Sequence, residues 1–304
     1  MTTYPTNPTL SGQKITVDWL MNNPVVIYRT LRGLVEQRLI GDKLLAGRVD
    51  LTGSGSAVFA VSEGIFANRS AERVVGTGEY PLTDDDPGIP ALAVTDKWGL
   101  ATEIPQDLIA HNRMDVVRRK LVKLANRIAF GFDALVLSAI ATAVTQEQQQ
   151  GAAWSAAGAD PFLDLMLGGA KVDENNQGYD VNVVALTPTE FARAVAAAKV
   201  IERMPREGSS TLVITGRMIQ IAGLTFLKTT NMPSGVKRLV VDSTQLGSIA
   251  TERLGGTGWT GGPDDVETNV EPLQGRDGFL IRARKVAVPM VQEPNAAVEI
   301  TDAA

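Results

Sequence analysis

With 304 residues, 44% of them apolar and 21% charged, the chain is long enough for roughly two domains and a substantial core, which excludes a disordered or collagen-like polypeptide. A net charge of −5 excludes a polycation that coats nucleic acid over its whole surface. The lack of cysteine excludes disulfides, thiolate zinc sites and a cysteine nucleophile, and fits folding in a reducing cytoplasm.

The first 22 residues are rich in Pro and Thr with little periodicity and read as an extended arm. They hold no basic stretch followed by an apolar core, so they are not a secretory signal. Asn23-Pro24 supplies an N-cap and a first-turn proline for a helix with Ile27, Leu31, Leu34, Val35 and Leu39 on one face, ending near Gly47. Residues 57–66 read as a strand and 94–104 as its return, with Val94, Trp98, Leu100 and Ile104 on one face. The roughly 27 residues between them hold a Gly-Thr-Gly, Asp84-Asp85-Asp86 and a Pro-Gly-Ile-Pro. Connections this long are usually functional in a compact domain, so a projecting hairpin-like loop is expected.

From Pro105 to Gln150 the apolar residues Val117, Leu121, Leu124, Ile128, Phe132, Leu135 and Ala139 recur by threes and fours. The spacing predicts a single helix on the order of 60 Å long at about 1.5 Å per residue. The longest nearly uncharged apolar run, 134–144, is shorter than the roughly 20 residues that cross a bilayer, so a soluble chain is expected. Asp160-Pro161 then opens a short helix through Leu167, and 181–186 reads as a buried strand. Thr187-Pro188-Thr189-Glu190 combines a capping box with a first-turn proline and starts a helix through Met204. Strands at 220–229 and 237–241, separated by Asn-Met-Pro-Ser-Gly, complete a compact α/β unit. The tail is β: 266–271, 278–291 and 297–301, with Phe279, Ile281 and Ala283 alternating against Leu280, Arg282 and Arg284.

Candidate chemistry is sparse. His111 is the only histidine and reads as a helix-surface residue, so no multi-histidine metal site can form. No G-x-S-x-G elbow and no phosphate-binding P-loop occur. Residues 256–261 match G-x-G-x-x-G, but another turn follows instead of a helix, so a flexible loop is expected. Asp84–Asp86 lack the calcium-loop pattern and read as a solvated acidic tip or as an ion-pair partner for another subunit. Arg113, Arg118, Arg119, Lys120, Lys123 and Arg127 crowd the first half of the long helix without an aromatic among them. They read either as a solvated face or as a contact with packaged DNA or an acidic neighbour. No catalytic residue, cofactor or metal is indicated.

The order of parts carries a resemblance. Residues 22–47, the Val-Ser-Glu-Gly-Ile-Phe-Ala-Asn segment from Val61, the stretch 97–135 and the close 277–300 resemble the Hong Kong 97-type major capsid proteins of tailed phages, especially those of actinobacteria. The resemblance covers nearly the whole chain and implies an α+β subunit. Its parts would be an N-terminal arm over 1–54, an extended loop with flanking strands over 55–104, and a spine helix over 105–154. An axial domain would follow over 155–255, with peripheral return strands over 256–304. It further implies pentamers and hexamers closing into an icosahedral shell around double-stranded DNA, a virion location and assembly in the host cytoplasm. Portal and protease or accessory proteins are implied partners, with no membrane. Lys43 to Lys97 has no internal lysine, so the lysine–asparagine cross-link of some relatives is not expected and stabilisation would be non-covalent. No coiled-coil extension precedes the arm, so a separate scaffolding protein is expected. Asp84, Asp85 and Asp86 facing Arg118, Arg119 and Lys123 of a neighbour are the candidate inter-subunit contacts. Two alternatives stand beside this reading: an encapsulin-type nanocompartment shell and a soluble α/β enzyme built on 155–255.

Overall fold

The computed structural model describes residues 17–302 apart from 65, 68, 77, 84–87, 157, 198–217, 222 and 274. The chain opens with a short helix, α1 (Val17–Met21), where an extended arm was expected; Val17, Leu20 and Met21 are buried. Residues 1–16 of that arm lie outside the described residues. Helix α2 (Pro24–Glu36) buries Ile27, Leu31 and Val35, as its spacing predicts. Asn23 does not cap it through its side chain; its amide instead donates to the Trp19 carbonyl and closes α1. The helix also stops before Gly47. A turn leads to α3 (Gly41–Leu44), and Gly47 begins a strand, β1 (Gly47–Asp50).

The hairpin forms, with a different return strand. β2 (Ser56–Val61) pairs antiparallel with β3 (Ile89–Val94), Val58 opposite Leu92 and Ser56 opposite Val94. The stretch expected to close the hairpin is a separate strand, β4 (Asp96–Pro105), beginning after a single intervening residue, Thr95. It pairs over ten residues with the long strand Gly278–Val291 instead.

The predicted rod is broken. A short helix, α4 (Gln106–Ala110), ends at His111, and Asn112 adopts a left-handed φ of 48°. The Asn112 N–H bonds to the Ile109 carbonyl and the Arg113 N–H to the Leu108 carbonyl, a Schellman stop with Asn in place of Gly. The Asn112 side chain accepts from the Val17 N–H at 2.9 Å, tying α1 to the break. Helix α5 (Met114–Ala143) then runs 30 residues, about 45 Å at 1.5 Å per residue. It ends where Val144 turns extended, and 147–149 form a strand, β5 (Glu147–Gln149). By length and hydropathy α5 meets the requirement for crossing a membrane, but half of its most apolar window is buried inside the protein. Such burial is that of a core helix.

Helix α6 (Pro161–Asp173) is capped by Asp160, whose side chain accepts from the Leu163 N–H, and outruns its expected end by six residues. After β6 (Val183–Leu186), helix α7 (Pro188–Ala196) starts at the predicted proline but stops short of its expected end where Ala197 turns extended; 198–204 lie outside the described residues. The predicted strand 220–229 is a hairpin of β7 (Met218–Ile221) and β8 (Leu224–Lys228), turning at Gly223 with φ 85°. Next come β9 (Arg238–Val241), β10 (Gly247–Thr251), β11 (Trp259–Thr260), β12 (Glu267–Pro272), β13 (Gly278–Val291) and β14 (Ala297–Thr301).

Two six-stranded sheets result. The first has the order β1-β10-β13-β12-β11, with β4 also paired to β13; the second has the order β5-β14-β9-β6-β8-β7. The pairing crosses the sequence-based divisions. β5 and β14, expected with the spine and return strands, complete the second sheet, while β10 joins the first. An antiparallel or parallel strand pairs with whichever edge offers unmet N–H and C=O groups, a tertiary matter that local pattern does not encode. Helices α2 and α5 pack on each other, α5 covers β4 and β13, and α2 covers β12. A single apolar core runs from these helices into the second sheet, with a small satellite core of Leu51, Ala93, Ala250 and Met290 beneath the hairpin.

Candidate assembly surfaces

Cross-strand pairing puts Val58, Leu92 and Val94 on one face of the β2–β3 hairpin, because directly opposed residues point the same way. These three side chains are 74%, 67% and 55% exposed. The opposite face is covered: Ala57, Phe59 and Ala93 pack against Leu51, Ala250, Met290 and Val288. Phe66, Val75, Tyr80 and Leu82, in the connection beyond the hairpin, are exposed as well. A two-stranded ribbon is marginal by itself, and an apolar face of this kind marks an interaction site. The end of the hairpin from which the connection leaves is latched to the body. Ser62, at a φ of 57°, donates its N–H to the Gln292 carbonyl, and the Glu63 N–H reaches the Glu293 carboxylate at 3.0 Å. The other oxygen of Glu293 accepts from the Tyr179 hydroxyl at 2.9 Å, joining the hairpin to the second-sheet unit. Burial and this carboxylate push the Tyr179 hydroxyl pKa up.

The second-sheet unit meets its buried charges internally. Arg238 is 2% exposed, and its guanidinium meets Glu190 at 2.7 Å, Asp302 at 3.0 Å and the face of Trp154 at 4.5 Å. Arg193 completes the set at 2.7 Å from Glu190. The Trp154 indole N–H donates to Asp164, which also accepts from the Gly151 N–H. Glu190 was expected to close a capping box with Thr187; it turns inward to Arg238 instead, and Thr187 makes no side-chain cap. A buried arginine outcompetes a local N–H because an unpaired charge there would cost several kcal/mol.

Between these regions α5 carries two further sites. Asp133, buried in mid-helix, accepts from the Ile40 and Gly41 N–H groups at 2.9 and 2.8 Å and so fixes the start of α3. Desolvation raises its pKa to about 6 against the pull of those two bonds. Gly41 fits there closely, since a Cβ would sit 3.0 Å from the Val136 side chain and push it aside. On the outer side, Arg118, Arg119, Lys123 and Arg127 are exposed. Arg119 pairs with Asp115 at 3.2 Å, both side chains 70% exposed, which contributes little. Arg118 and Lys123 have no ion-pair partner among the described residues. Their expected counterparts, Asp84, Asp85 and Asp86, lie outside the described residues.

Enzyme-like features do not converge. His111 is exposed at the end of α4. The 256–261 segment is a turn into β11 with no helix behind it, and it is pinned: the Gly255 N–H donates to Glu267, and Arg284 stacks 3.7 Å from the Trp259 ring. Among the described residues no cluster of acids and histidine has metal-binding geometry. An open groove of about 520 Å³ between α3, α5 and the end of β8 has Arg38, Lys43, Phe130 and Lys228 in its walls, and its acid, Asp133, is already engaged. Sequence reasoning missed the hairpin face because it misplaced the return strand, and missed Asp133 because one acid within an apolar stripe leaves no pattern.

The chain belongs to the phage capsid protein family, whose sequence profile matches residues 89–300. Its fold is the Hong Kong 97-type capsid fold, as the resemblance implied. It is similar to the capsid of cyanophage P-SCSP1u at 17% identity and a TM-score of 0.61, over 100% of this chain and 93% of that one. A Microbacterium phage Oxtober96 structure matches at 11% identity and a TM-score of 0.57, over 100% and 96%. The virus-like particle from Pyrococcus furiosus matches at 10% identity and a TM-score of 0.58, over 91% and 98%. At these identities the likeness is one of fold. Among curated proteins none matches the sequence. The family is one of structural proteins that build a virion shell.

Proposed function

We propose that this chain is the major capsid protein of a tailed phage. It closes as pentamers and hexamers into an icosahedral head around double-stranded DNA, in the host cytoplasm. The observation that carries this is the bare face of Val58, Leu92 and Val94, which a single subunit leaves uncovered and a neighbouring copy would cover. The hairpin and its connection then serve as the extended loop, α5 as the spine, the second-sheet unit as the axial domain and the first sheet as the peripheral domain. Stabilisation is non-covalent, and scaffolding, portal and protease or accessory proteins are separate chains. Many such contacts of modest strength add up through multivalency.

Sedimentation and electron microscopy of the expressed protein test this reading. Closed particles or discrete capsomers are expected, and Val58→Ser, Leu92→Ser, Val94→Ser together should leave only subunits. Particles from that variant at wild-type yield would remove the hairpin from assembly. A ladder of oligomers on a denaturing gel would overturn the non-covalent claim. A nanocompartment shell is the second reading, supported by the fold shared with the Pyrococcus furiosus particle. Enzyme cargo in place of DNA inside purified particles would favour it.

A further inference from the structure

Helix α5 and the segment after α2 place five cations together. Arg118, Arg119, Lys123 and Arg127 project from the uncovered side of α5, and the Arg38 guanidinium lies against the Val122 carbonyl at 3.4 Å on that same helix. Arg119, Lys123 and Arg127 recur every four residues and so rise about 6 Å per step along one face. From Met114 to Ala129 the helix has one acid, Asp115, already shared with Arg119. A protein whose net charge is −5 thus gathers positive charge over the uncovered half of one helix, with Arg118 and Arg127 at its two flanks.

The chemistry of this face separates two classes of partner. Protein interfaces have an apolar core and are enriched in arginine while depleted of lysine, so the lack of an apolar core on this face weighs more than the kind of cation. Nucleic-acid interfaces are polar and strongly positive. The residues that project outward between Arg113 and Phe130 supply one exposed aromatic, Phe130, with the Arg127 guanidinium 5.7 Å from its ring centroid, and no other large exposed apolar side chain. A single ring is not the succession of stacking surfaces that single strands need. We infer that the outer face of α5, with Arg38, is a sequence-independent contact for the phosphate backbone of duplex DNA, and that the helix side of the first sheet is therefore the inner wall of the shell. This rests on the capsid reading above and specifies which surface of the subunit meets the packaged polymer.

The test uses the purified full-length protein and a random-sequence 30-base-pair duplex, with affinity measured across a salt series. Neutralising three phosphate contacts in Arg118→Gln, Lys123→Gln, Arg127→Gln should flatten the log–log salt slope by about 2.7 and weaken binding roughly ten-fold or more at low salt. Lys97→Gln, Arg253→Gln, Arg276→Gln removes as many exposed cations elsewhere and should leave slope and affinity unchanged, and circular dichroism shows that both variants fold. Wild-type binding by the α5 variant overturns the inference. It is also overturned if the α5 variant and Asp84→Asn, Asp85→Asn, Asp86→Asn lower shell salt tolerance equally and non-additively, which assigns the cations to a neighbour's acidic run. Particle formation is scored separately, so an absence of shells breaks the capsid reading whatever the duplex measurement gives.

Discussion

The second-sheet unit and the β2–β3 hairpin are opposite solutions to the same difficulty. The unit buries an arginine and the carboxylate of Glu190 and meets these charges from within, with the half-exposed Asp302 and the Trp154 ring completing the set. The hairpin covers one face with the satellite core and leaves Val58, Leu92 and Val94 bare. The unit meets its buried charges within the subunit, although Leu163, Met166 and Leu167 of α6 stay exposed, whereas the hairpin leaves a whole apolar face for company. Stability of the fold and competence to assemble should therefore respond to different residues.

The largest effect on the subunit is expected inside the unit. Arg238→Met removes the buried partner of Glu190, leaving it only the half-exposed Arg193, and should cost up to about 3–5 kcal/mol, read as a lower urea midpoint at unchanged slope. Adding Glu190→Leu should recover part of that loss, because no uncompensated charge remains. If Arg238→Met alone costs under about 1 kcal/mol, the unit is not held by this network.

An intermediate effect is expected at Asp133, as a dependence on pH. Its pKa is raised from 3.8 to about 6, so the folded state favours the protonated form. The associated stability is fully present below about pH 4 and is lost as pH rises through 6, by at most about 3 kcal/mol. Asp133→Asn keeps an acceptor for the Ile40 and Gly41 N–H groups and should erase that slope. Asp42 and Lys285 are the nearby charges that modulate it. A slope between pH 4 and 7 that is unchanged in the variant would place the titration elsewhere.

The smallest effect on subunit stability is expected where the effect on assembly is greatest. Val58→Ser, Leu92→Ser, Val94→Ser changes side chains already in water, so the unfolding free energy should move by about 0.5 kcal/mol per site or less. A loss of several kcal/mol would show that the bare face already has a partner within the subunit, and the comparison would fail.

What could be read from sequence follows the reach of the interactions. The one-sided stripe of α2, the run Val183–Leu186 and the alternation around Ile281 and Ala283 are local patterns, and all three elements formed. The break at Asn112 was hidden because the apolar spacing continues across it and the stop uses Asn in place of Gly. The hairpin partner was misjudged because 89–94 and 96–105 are both β-like and only Thr95 separates them. Which one pairs with β2 is decided by the ten residues of β13 waiting for the other. Glu190 had a plausible local role and a stronger distant one. Of the candidate contacts, Arg118, Arg119 and Lys123 share one exposed helix face, whereas the hairpin face needed the register.

The passage from β3 through Thr95 into β4 has a mechanical meaning. β4 lies along β13 over ten residue pairs, and ladder hydrogen bonds stand perpendicular to the strands. A pull on the hairpin directed along β4 would load those bonds together in shear and not peel them one after another. Tension arriving from a neighbour would thus spread into β13 and, through it, into β10 and β12, the arrangement by which a riveted lap joint carries strain across a pressurised skin.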